Sequence, residues 1–258
     1  MRRLIILGFM ILILIIANCC SAEGLGENEE VFKNSAQVIS LLDLDVIRKH
    51  VEYFSSLDSR FTGYPGFYEA KNYIVDYFKR LGLKVVLQNI SVLVPLEKYA
   101  YVEVGGEKID VHAVYPNLVC LPNAKGLEGR LIYAGKCSLE ELEGLEVNGS
   151  ILLVDFDCGW SWLNGFLFGA KAVIFLETRG VNRVEAEKKY LPYPANLPRY
   201  YADREAATKL LAAAEKGLKA RIYARVEWKK VEASNIIAVL EGEKSDEIVV
   251  FMSYYDAF

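Results

Sequence analysis

The sequence predicts an α/β fold, in which a partial mixed sheet with helices is interrupted by a β-rich insert. The run RLGLKVVLQ passes from a helical pattern through Gly82 directly into a strand pattern, which is the usual order in α/β proteins. From about residue 98 to 228 the pattern changes to short apolar runs separated by glycine, proline and asparagine. Longer apolar runs return near the C-terminus, so we expect the first and last segments to belong to one sheet domain.

The first predicted elements are helices. Residues 36–55 place apolar side chains at helical spacing and predict one or two helices. A loop follows at 59–66, where glycine and proline interrupt the pattern. The next helix has one apolar face and is expected to end at Gly82, a C-cap glycine. That face is formed by Phe67, Ala70, Ile74, Tyr77, Phe78 and Leu81.

The middle region alternates short strands with helices. Gly105 and Gly106 predict the turn of a β-hairpin. Further strands are predicted in GRLIYAGKC, NGSILLVDFD and GAKAVIFLE, the last of them after a short helix in WLNGFLFGA. A stronger helix is expected between Asp203 as N-cap and Gly217 as C-cap. The alternating run KARIYARVEWKK then predicts an exposed strand.

The last segment, EASNIIAVLEGEKSDEIVVFMSYYDAF, predicts two strands joined by a polar turn at GEKSD. The second of these strands, Ile248–Ser253, is apolar on both faces. That pattern is typical of a central strand that is covered on both sides of its sheet.

The N-terminus has the pattern of an export signal. Arg2 and Arg3 precede an apolar run of 14 residues, from Leu4 to Ala17, and small or polar residues follow. This run is shorter than the roughly 20 residues needed to span a bilayer. We expect cleavage after Ala22, with an uncleaved membrane anchor as the alternative. Either outcome places the chain outside the cell or on the extracellular face of the membrane.

Composition excludes one class of partner. The net charge is −4 and the pI is about 5.5, whereas a nucleic-acid-binding domain needs a basic face. Cleavage after Ala22 would leave Cys120, Cys137 and Cys158. Export permits one disulfide among these three, and three buried reduced thiols are the alternative. Their spacing, with no histidine nearby, does not indicate a zinc site.

Four stretches together carry a resemblance to a known family. They are SRFTGYPGFYEAKNYIVDYFKRLGLKV, VNGSILLVDFDCGWSWLNGFLFGAKAVIFLE, LPRYYADREAATKLLAAAEKG and SNIIAVLEGEKSDEIVVFMSYYDAF. In this order they resemble the N-terminal half of the secreted zinc aminopeptidases and carboxypeptidases of metallopeptidase family twenty-eight, in the form that carries a protease-associated (PA) insert. The first stretch is similar to the family's Arg-x-x-Gly-x-x-Gly loop and the helix after it.

The resemblance implies a division of the chain. Residues 1–22 would be the signal or anchor, and residues 23–35 a linker. The PA-like insert would occupy residues 97–229. The peptidase-like domain, a partial zinc-exopeptidase-like mixed sheet, would be built from residues 36–96 and the return strands at 230–258.

The resemblance also implies a damaged metal site. In the family the last strand leads into a Gly-x-His-x-Asp turn, where the histidine binds one zinc ion and the aspartate bridges two. Alignment of Asp256 with the bridging aspartate places Tyr254 at the histidine and Met252 at the glycine. A phenol with a pKa near 10 is not a usual zinc ligand. At best one of the five ligand positions survives, and only Ala257 and Phe258 follow it.

Other candidate side chains are interpreted as structural. His50 lies in a predicted helix and His112 in the insert, where each is expected to be a surface or capping residue. Asp155 and Asp157 form a paired-acid pattern, but a strand that ends in a turn explains them. We therefore assign no catalytic residue and no substrate-binding residue, and Asp256 remains as the one degenerate metal ligand.

Three hypotheses follow for function. The first is the N-terminal part of an exported zinc-peptidase-like protein that binds no zinc and hydrolyses no peptide as this chain alone. The second is a binding module, derived from a degenerate peptidase, whose PA-like insert holds a peptide or a protein. The third is catalysis completed by a second polypeptide, which Tyr254 disfavours.

Overall fold

The computed structural model describes residues 37, 39–178, 181–242 and 246–257. The chain divides into two compact units, Met1–Leu57 and Asp58–Phe258. The first unit contains helix α1, Leu44–Ser56, whose N-cap Asp43 accepts hydrogen bonds from the next backbone N–H groups. This helix confirms the prediction made for residues 36–55. The predicted leader and linker lie outside the described residues.

The second unit contains a mixed sheet and five helices among its described residues. In chain order its elements are α2 Pro65–Arg80, β1 Lys84–Val104, β2 Glu107–Asp110, β3 His112–Ala113, β4 Ala124–Tyr133, α3 Leu139–Leu142, β5 Ile151–Asp155, α4 Trp162–Leu167, β6 Ala172–Leu176, α5 Arg183–Glu187, β7 Arg199–Ala202, α6 Arg204–Glu215 and β8 Lys219–Val239. In the part of the chain that the structure describes, no helix has the length and apolar character needed to cross a membrane.

One eight-stranded sheet organises this unit, in the order β2-β1-β8-β4-β5-β6-β7-β3. The strands β4 to β7 run parallel, whereas β1, β2 and β8 form an antiparallel group. β1 and β8, each 21 residues long, pair from Lys84 opposite Val239 to Val104 opposite Ala220. Their register shifts between Glu97 and Tyr99. The sequence prediction of a mixed α/β sheet is confirmed.

Both predicted boundaries of the PA-like insert fall inside one of these two long strands. β1 continues through residues 96 and 97, and β8 continues through residues 229 and 230. β1 and β8 together form one long β-ribbon, the β1–β8 ribbon. A division at these positions would therefore cut through this ribbon and not through a loop. The division itself stays a prediction.

Two hydrophobic cores lie on opposite faces of the parallel strands. In β5, Ile151 and Leu153 point into the core that α6 covers, while Leu152 and Val154 point into the core that contains Trp162 of α4. Every residue of β5 and β6 is buried for this reason. A strand covered on both faces reads as a continuous apolar run, as both strands do in the sequence.

Helix ends agree with the sequence signals. The side chain of Asp203 accepts a hydrogen bond from the N–H of Ala206 at 2.9 Å, which confirms Asp203 as the N-cap of α6. Gly217 lies just beyond this helix with φ of 66°, and Gly82 lies just beyond α2 with φ of 75°. Both glycines occupy the left-handed region that favours glycine after a helix.

A buried cation supports the core beside α4. Lys189 is 1% exposed, and its ammonium group donates to the Glu185 carboxylate at 3.2 Å and to the carbonyl of Gly159 at 3.1 Å. The same ammonium lies 5.3 Å from the ring centre of Phe156 and 5.2 Å from that of Phe175. The ion pair and the contacts with the two rings together offset the desolvation cost of burying this charge.

Glu185 is held in its ionised form by these neighbours. Burial acts to raise the pKa of this carboxyl group, but hydrogen bonds from Lys188, from the N–H of Gly159 and from Lys189 outweigh burial and lower the pKa to about 2. The carboxylate is therefore charged at neutral and mildly acidic pH.

The cysteines Cys120, Cys137 and Cys158 are free thiols. Cys137 and Cys158 are buried and Cys120 is half-buried. Burial raises the pKa of Cys137 to about 11 and also raises the pKa of Cys158. Of the two alternatives left open by the sequence, the structure has the reduced thiols, but only two of the three are buried.

One predicted strand does not form. The described residues 246–257 contain no strand, and the side chains of Ile248 to Met252 are 70 to 93% exposed. The prediction of a buried central strand at Ile248–Ser253 is therefore wrong for this structure. An apolar run becomes a strand only when another strand pairs with its backbone, and no described strand pairs with this one.

Candidate functional site

The loop Asp58–Tyr64 is shaped by two glycines of the run RFTGYPG. Gly63 has φ of 97°, and a Cβ there would lie 3.2 Å from methyl groups of Val94 and Val231. Gly66, at the start of α2, leaves room for the loop itself, since a Cβ would lie 2.8 Å from the carbonyl oxygen of Ser59. The glycine spacing therefore folds this loop tightly against α2 and the β1–β8 ribbon.

The loop and ribbon hold Tyr255 near the end of the chain. Its ring stacks on Phe67 of α2, with ring centres 5.0 Å apart and planes at 21°. Its hydroxyl donates to the carbonyl of Ser234 on β8 at 2.7 Å. Phe67 is buried, so Tyr255 serves as an apolar anchor with one polar contact at its tip.

Backbone contacts fix the residues on both sides of this anchor. The guanidinium of Arg60 donates to the carbonyl of Tyr255 at 2.8 Å, and the N–H of Ala257 donates to the carbonyl of Arg60 at 3.2 Å. The hydroxyl of Thr62 donates to a carboxylate oxygen of Asp256 at 3.2 Å. We call the set Arg60, Thr62, Phe67 and Ser234 the tail clasp.

The tail clasp presents Asp256 but does not assemble a metal site around it. Asp256 is exposed, and the side chain of Tyr254 is 86% exposed. Among residues 37, 39–178, 181–242 and 246–257, no group of three histidine, cysteine or acidic side chains is placed to hold a metal ion. Zinc in proteins is normally bound by three or four such ligands. The donors present therefore do not fit a zinc centre.

The two histidines considered in the sequence are not members of the tail clasp. His112 is at the sheet edge, 3.5 Å from the carboxylate of Glu97, and a hydrogen bond to Glu97 raises the pKa of the imidazole. His50 is on α1 in the unit Met1–Leu57.

The paired acids Asp155 and Asp157 are each engaged locally. Asp155 accepts a hydrogen bond from the hydroxyl of Tyr133 at 3.0 Å, and Asp157 forms an ion pair with Lys136 at 2.9 Å. These contacts tie the end of β5 to β4 and to the turn that follows β4. They are the contacts of a strand end rather than of a reactive acid pair.

Sequence reasoning did not predict the contacts that the tail clasp makes with Tyr255–Ala257. Arg60 and Gly63 were part of the motif that carried the family resemblance, but nothing in the pattern showed what the loop contacts. Its contact partner is the segment Tyr255–Ala257, and Tyr255 follows Arg60 by 195 positions. A pairing at that separation has no local sequence signal.

No sequence-family model matches the chain, and no curated protein is significantly similar to it. Solved structures of aminopeptidases are similar in fold. One is the zinc aminopeptidase BSAP from Bacillus subtilis, with 18% identity and a TM-score of 0.53, over 72% of this chain and 44% of that one. At this level of identity the likeness shows the fold alone. It agrees with the peptidase-like fold that the sequence predicts.

Two further structures belong to the same group of neighbours. An aminopeptidase from Aneurinibacillus sp. strain AM-1 has 21% identity and a TM-score of 0.43, over 79% of this chain and 49% of that one. A peptidase M28 precursor from Shewanella amazonensis SB2B has 14% identity and a TM-score of 0.48, over 73% and 48%. This chain thus spans about half the length of the structures it matches.

Proposed function

We propose that this chain forms the N-terminal part of an exported peptidase-like protein and does not hydrolyse peptides by itself. The observation that carries the proposal is the tail clasp. It holds Asp256, the residue that aligns with the family's bridging ligand, on a zinc-aminopeptidase-like fold, while a tyrosine stands at the histidine position. In this proposal the turn keeps its contacts with the rest of the unit but lacks the family's ligand set.

The exposed apolar segment Ile248–Tyr254 supports the same proposal. It lies between the end of β8 and the tail clasp, and its side chains face solvent. The β1–β8 ribbon adds further exposed apolar side chains, including Leu93 of β1 and Ile237 of β8. Contiguous apolar surface of this kind marks an interaction site. Further polypeptide of a peptidase-like domain, in the same chain or in another, is the partner we propose for it.

An activity assay tests the catalytic part of this proposal. The purified chain is incubated with leucine p-nitroanilide, with and without added zinc, and its zinc content is measured after equilibrium dialysis. We expect no release of nitroaniline above the blank and no stoichiometric zinc. Zinc-dependent release that co-elutes with the chain and is lost in Asp256→Asn would overturn the proposal.

Export is the second part of the proposal. It is supported by the two arginines, the 14-residue apolar run and the small residues after it. Expression of the whole chain in a secreting host tests it, with the mass of the released protein as the readout. A product that begins after Ala22 is the expected result. Retention of the whole chain inside the cell would contradict export, and retention at the outer membrane face would identify an anchor.

A binding role for residues 97–229 is the second candidate function. It is supported by the two hydrophobic cores of this region, which are complete without the exposed apolar segment. A PA-like insert with its own core could hold a peptide or a protein while the peptidase-like part is inactive. This role predicts that the purified chain unfolds in one cooperative transition and stays monodisperse. Aggregation at micromolar concentration would count against it.

A further inference from the structure

A shallow depression of about 540 Å³ lies between α3, the turn after it and the C-terminal end of α4. Its apolar part is formed by Leu139, Leu145 and Phe168. Leu139 is 60% exposed and Phe168 is 51% exposed, whereas Leu145 packs against the core that contains Trp162. The described part of the chain therefore leaves an apolar surface open here.

Carboxylates surround this apolar surface. Glu140, Glu143 and Glu146 line the depression, and no lysine or arginine does. A hydrogen bond from its own backbone N–H and another from Ser138 lower the pKa of Glu140, so its carboxyl group is ionised at neutral pH. The fourth acid of this stretch, Glu141, is engaged in the capping box of α3 instead.

The carboxylates that line the depression form no ion pair with a described cation. Elsewhere in the unit many acids are paired with cations, as Glu128 is with Arg221 at 2.8 Å and Glu187 with Arg183 at 2.8 Å. Within the described ranges no ion pair involves the three glutamates that line the depression. An apolar surface with an unpaired acidic border is complementary to a ligand that is both apolar and cationic.

We infer that this depression binds a cationic, apolar peptide segment, in which leucine-like side chains cover Leu139 and Phe168 and lysine or arginine side chains face the three carboxylates. The inference rests on the proposed binding role of residues 97–229. A metal ion is a poorer occupant, because no described group of three acids converges on one point.

The expected complex is weak and sensitive to salt. Exposed ion pairs contribute little individually and are screened at physiological ionic strength. The rest of the binding free energy comes from burial of the Leu139 and Phe168 side chains, in proportion to the area removed from water. The charges therefore set the preference for cationic segments, and the apolar surface sets the strength of binding.

Fluorescence anisotropy with the full chain tests this inference. The probe is a fluorescein-labelled synthetic peptide of leucine and lysine in an amphipathic order, and the comparison peptide has glutamate in place of lysine. We expect the lysine peptide to bind and the glutamate peptide not to bind. Glu143→Lys together with Glu146→Lys should weaken binding by about tenfold, because two attractive pairs become repulsive.

Two further variants complete the test. Phe168→Ser should also weaken binding by about tenfold, because the largest apolar contact is removed. Glu215→Lys reverses an exposed charge at the end of α6, on the other face of the sheet, and should change binding by less than about twofold. Thermal unfolding, followed by circular dichroism, checks that each variant is folded. If Phe168→Ser is unfolded, the double variant Glu143→Lys with Glu146→Lys alone tests the inference.

Several results would overturn the inference. They are equal binding of both peptides, an unchanged affinity in the double glutamate variant, and a loss in Glu215→Lys as large as in that variant. The readout is independent of peptide hydrolysis. Failure of peptide binding would leave the peptidase-like proposal intact, and detection of hydrolysis would leave the peptide site intact.

Discussion

Removal of one half-buried charge should make the stability of this protein less sensitive to acid. Glu185→Gln keeps the shape of the side chain but removes the carboxylate that faces Lys189 at 3.2 Å. The folded-state pKa of Glu185 is about 2, against an ordinary value of 4.5. A depressed carboxyl pKa contributes stability that is fully present above the unfolded pKa and is lost as the pH falls toward the folded pKa.

The magnitude follows from the size of this pKa shift. The difference between these two pKa values corresponds to about 3 kcal/mol of unfolding free energy at pH 7. At pH 3 the same linkage leaves about 1 kcal/mol. Glu185→Gln should therefore be less stable than the parent chain by about 3 kcal/mol at pH 7 and by about 1 kcal/mol at pH 3.

Urea unfolding of both chains at pH 7 and pH 3, followed by circular dichroism, measures the two differences. Glu187→Gln is the matched control, since Glu187 lies on the same helix but pairs with Arg183 in solvent, with its side chain 63% exposed. The control should cost less than about 1 kcal/mol at both pH values. A gap between parent and Glu185→Gln that does not shrink from pH 7 to pH 3 would refute the reasoning.

Three further predictions concern packing and thiols. Leu210→Ala should lower the unfolding free energy by about 2 to 5 kcal/mol in urea titrations, because this fully buried side chain of α6 would leave a cavity; a loss below about 1 kcal/mol would contradict that burial. Gly66→Ala should cost about 1 to 3 kcal/mol, since its Cβ would meet loop backbone at 2.8 Å, whereas Gly242→Ala, with open space around it, should be neutral. In Ellman titrations of a folded chain that begins after Ala22, Cys120 should react first and Cys137 only after unfolding, and prompt reaction of both would be inconsistent with the buried thiol.

The sequence was a good guide where one local pattern determines one element. The continuous apolar runs of β5 and β6 predicted strands, and those strands are buried on both faces. Asp203 and Gly217 marked the ends of α6 because a cap depends on residues within one turn. These features require no information about distant parts of the chain.

The same reasoning was insufficient where the partner of a segment is remote. The apolar pattern of Ile248–Ser253 predicted a strand, but a strand also needs a neighbouring backbone, which the pattern does not reveal. The contact of Thr62 with Asp256 joins residues 194 positions apart. Side-chain pattern limits what a segment can become, and only the assembled sheet decides whether its hydrogen bonds are satisfied.

The β1–β8 ribbon has a consequence for how the chain is made. β1 pairs along most of its length with a strand whose first residue, Lys219, follows Val104 by more than 100 positions. At ordinary rates of synthesis, β1 would wait for roughly 10 s after it leaves the ribosome before its partner exists. During that interval its apolar face and open edge are available to other chains. A chaperone, or export in an unfolded state, would be needed most at this step.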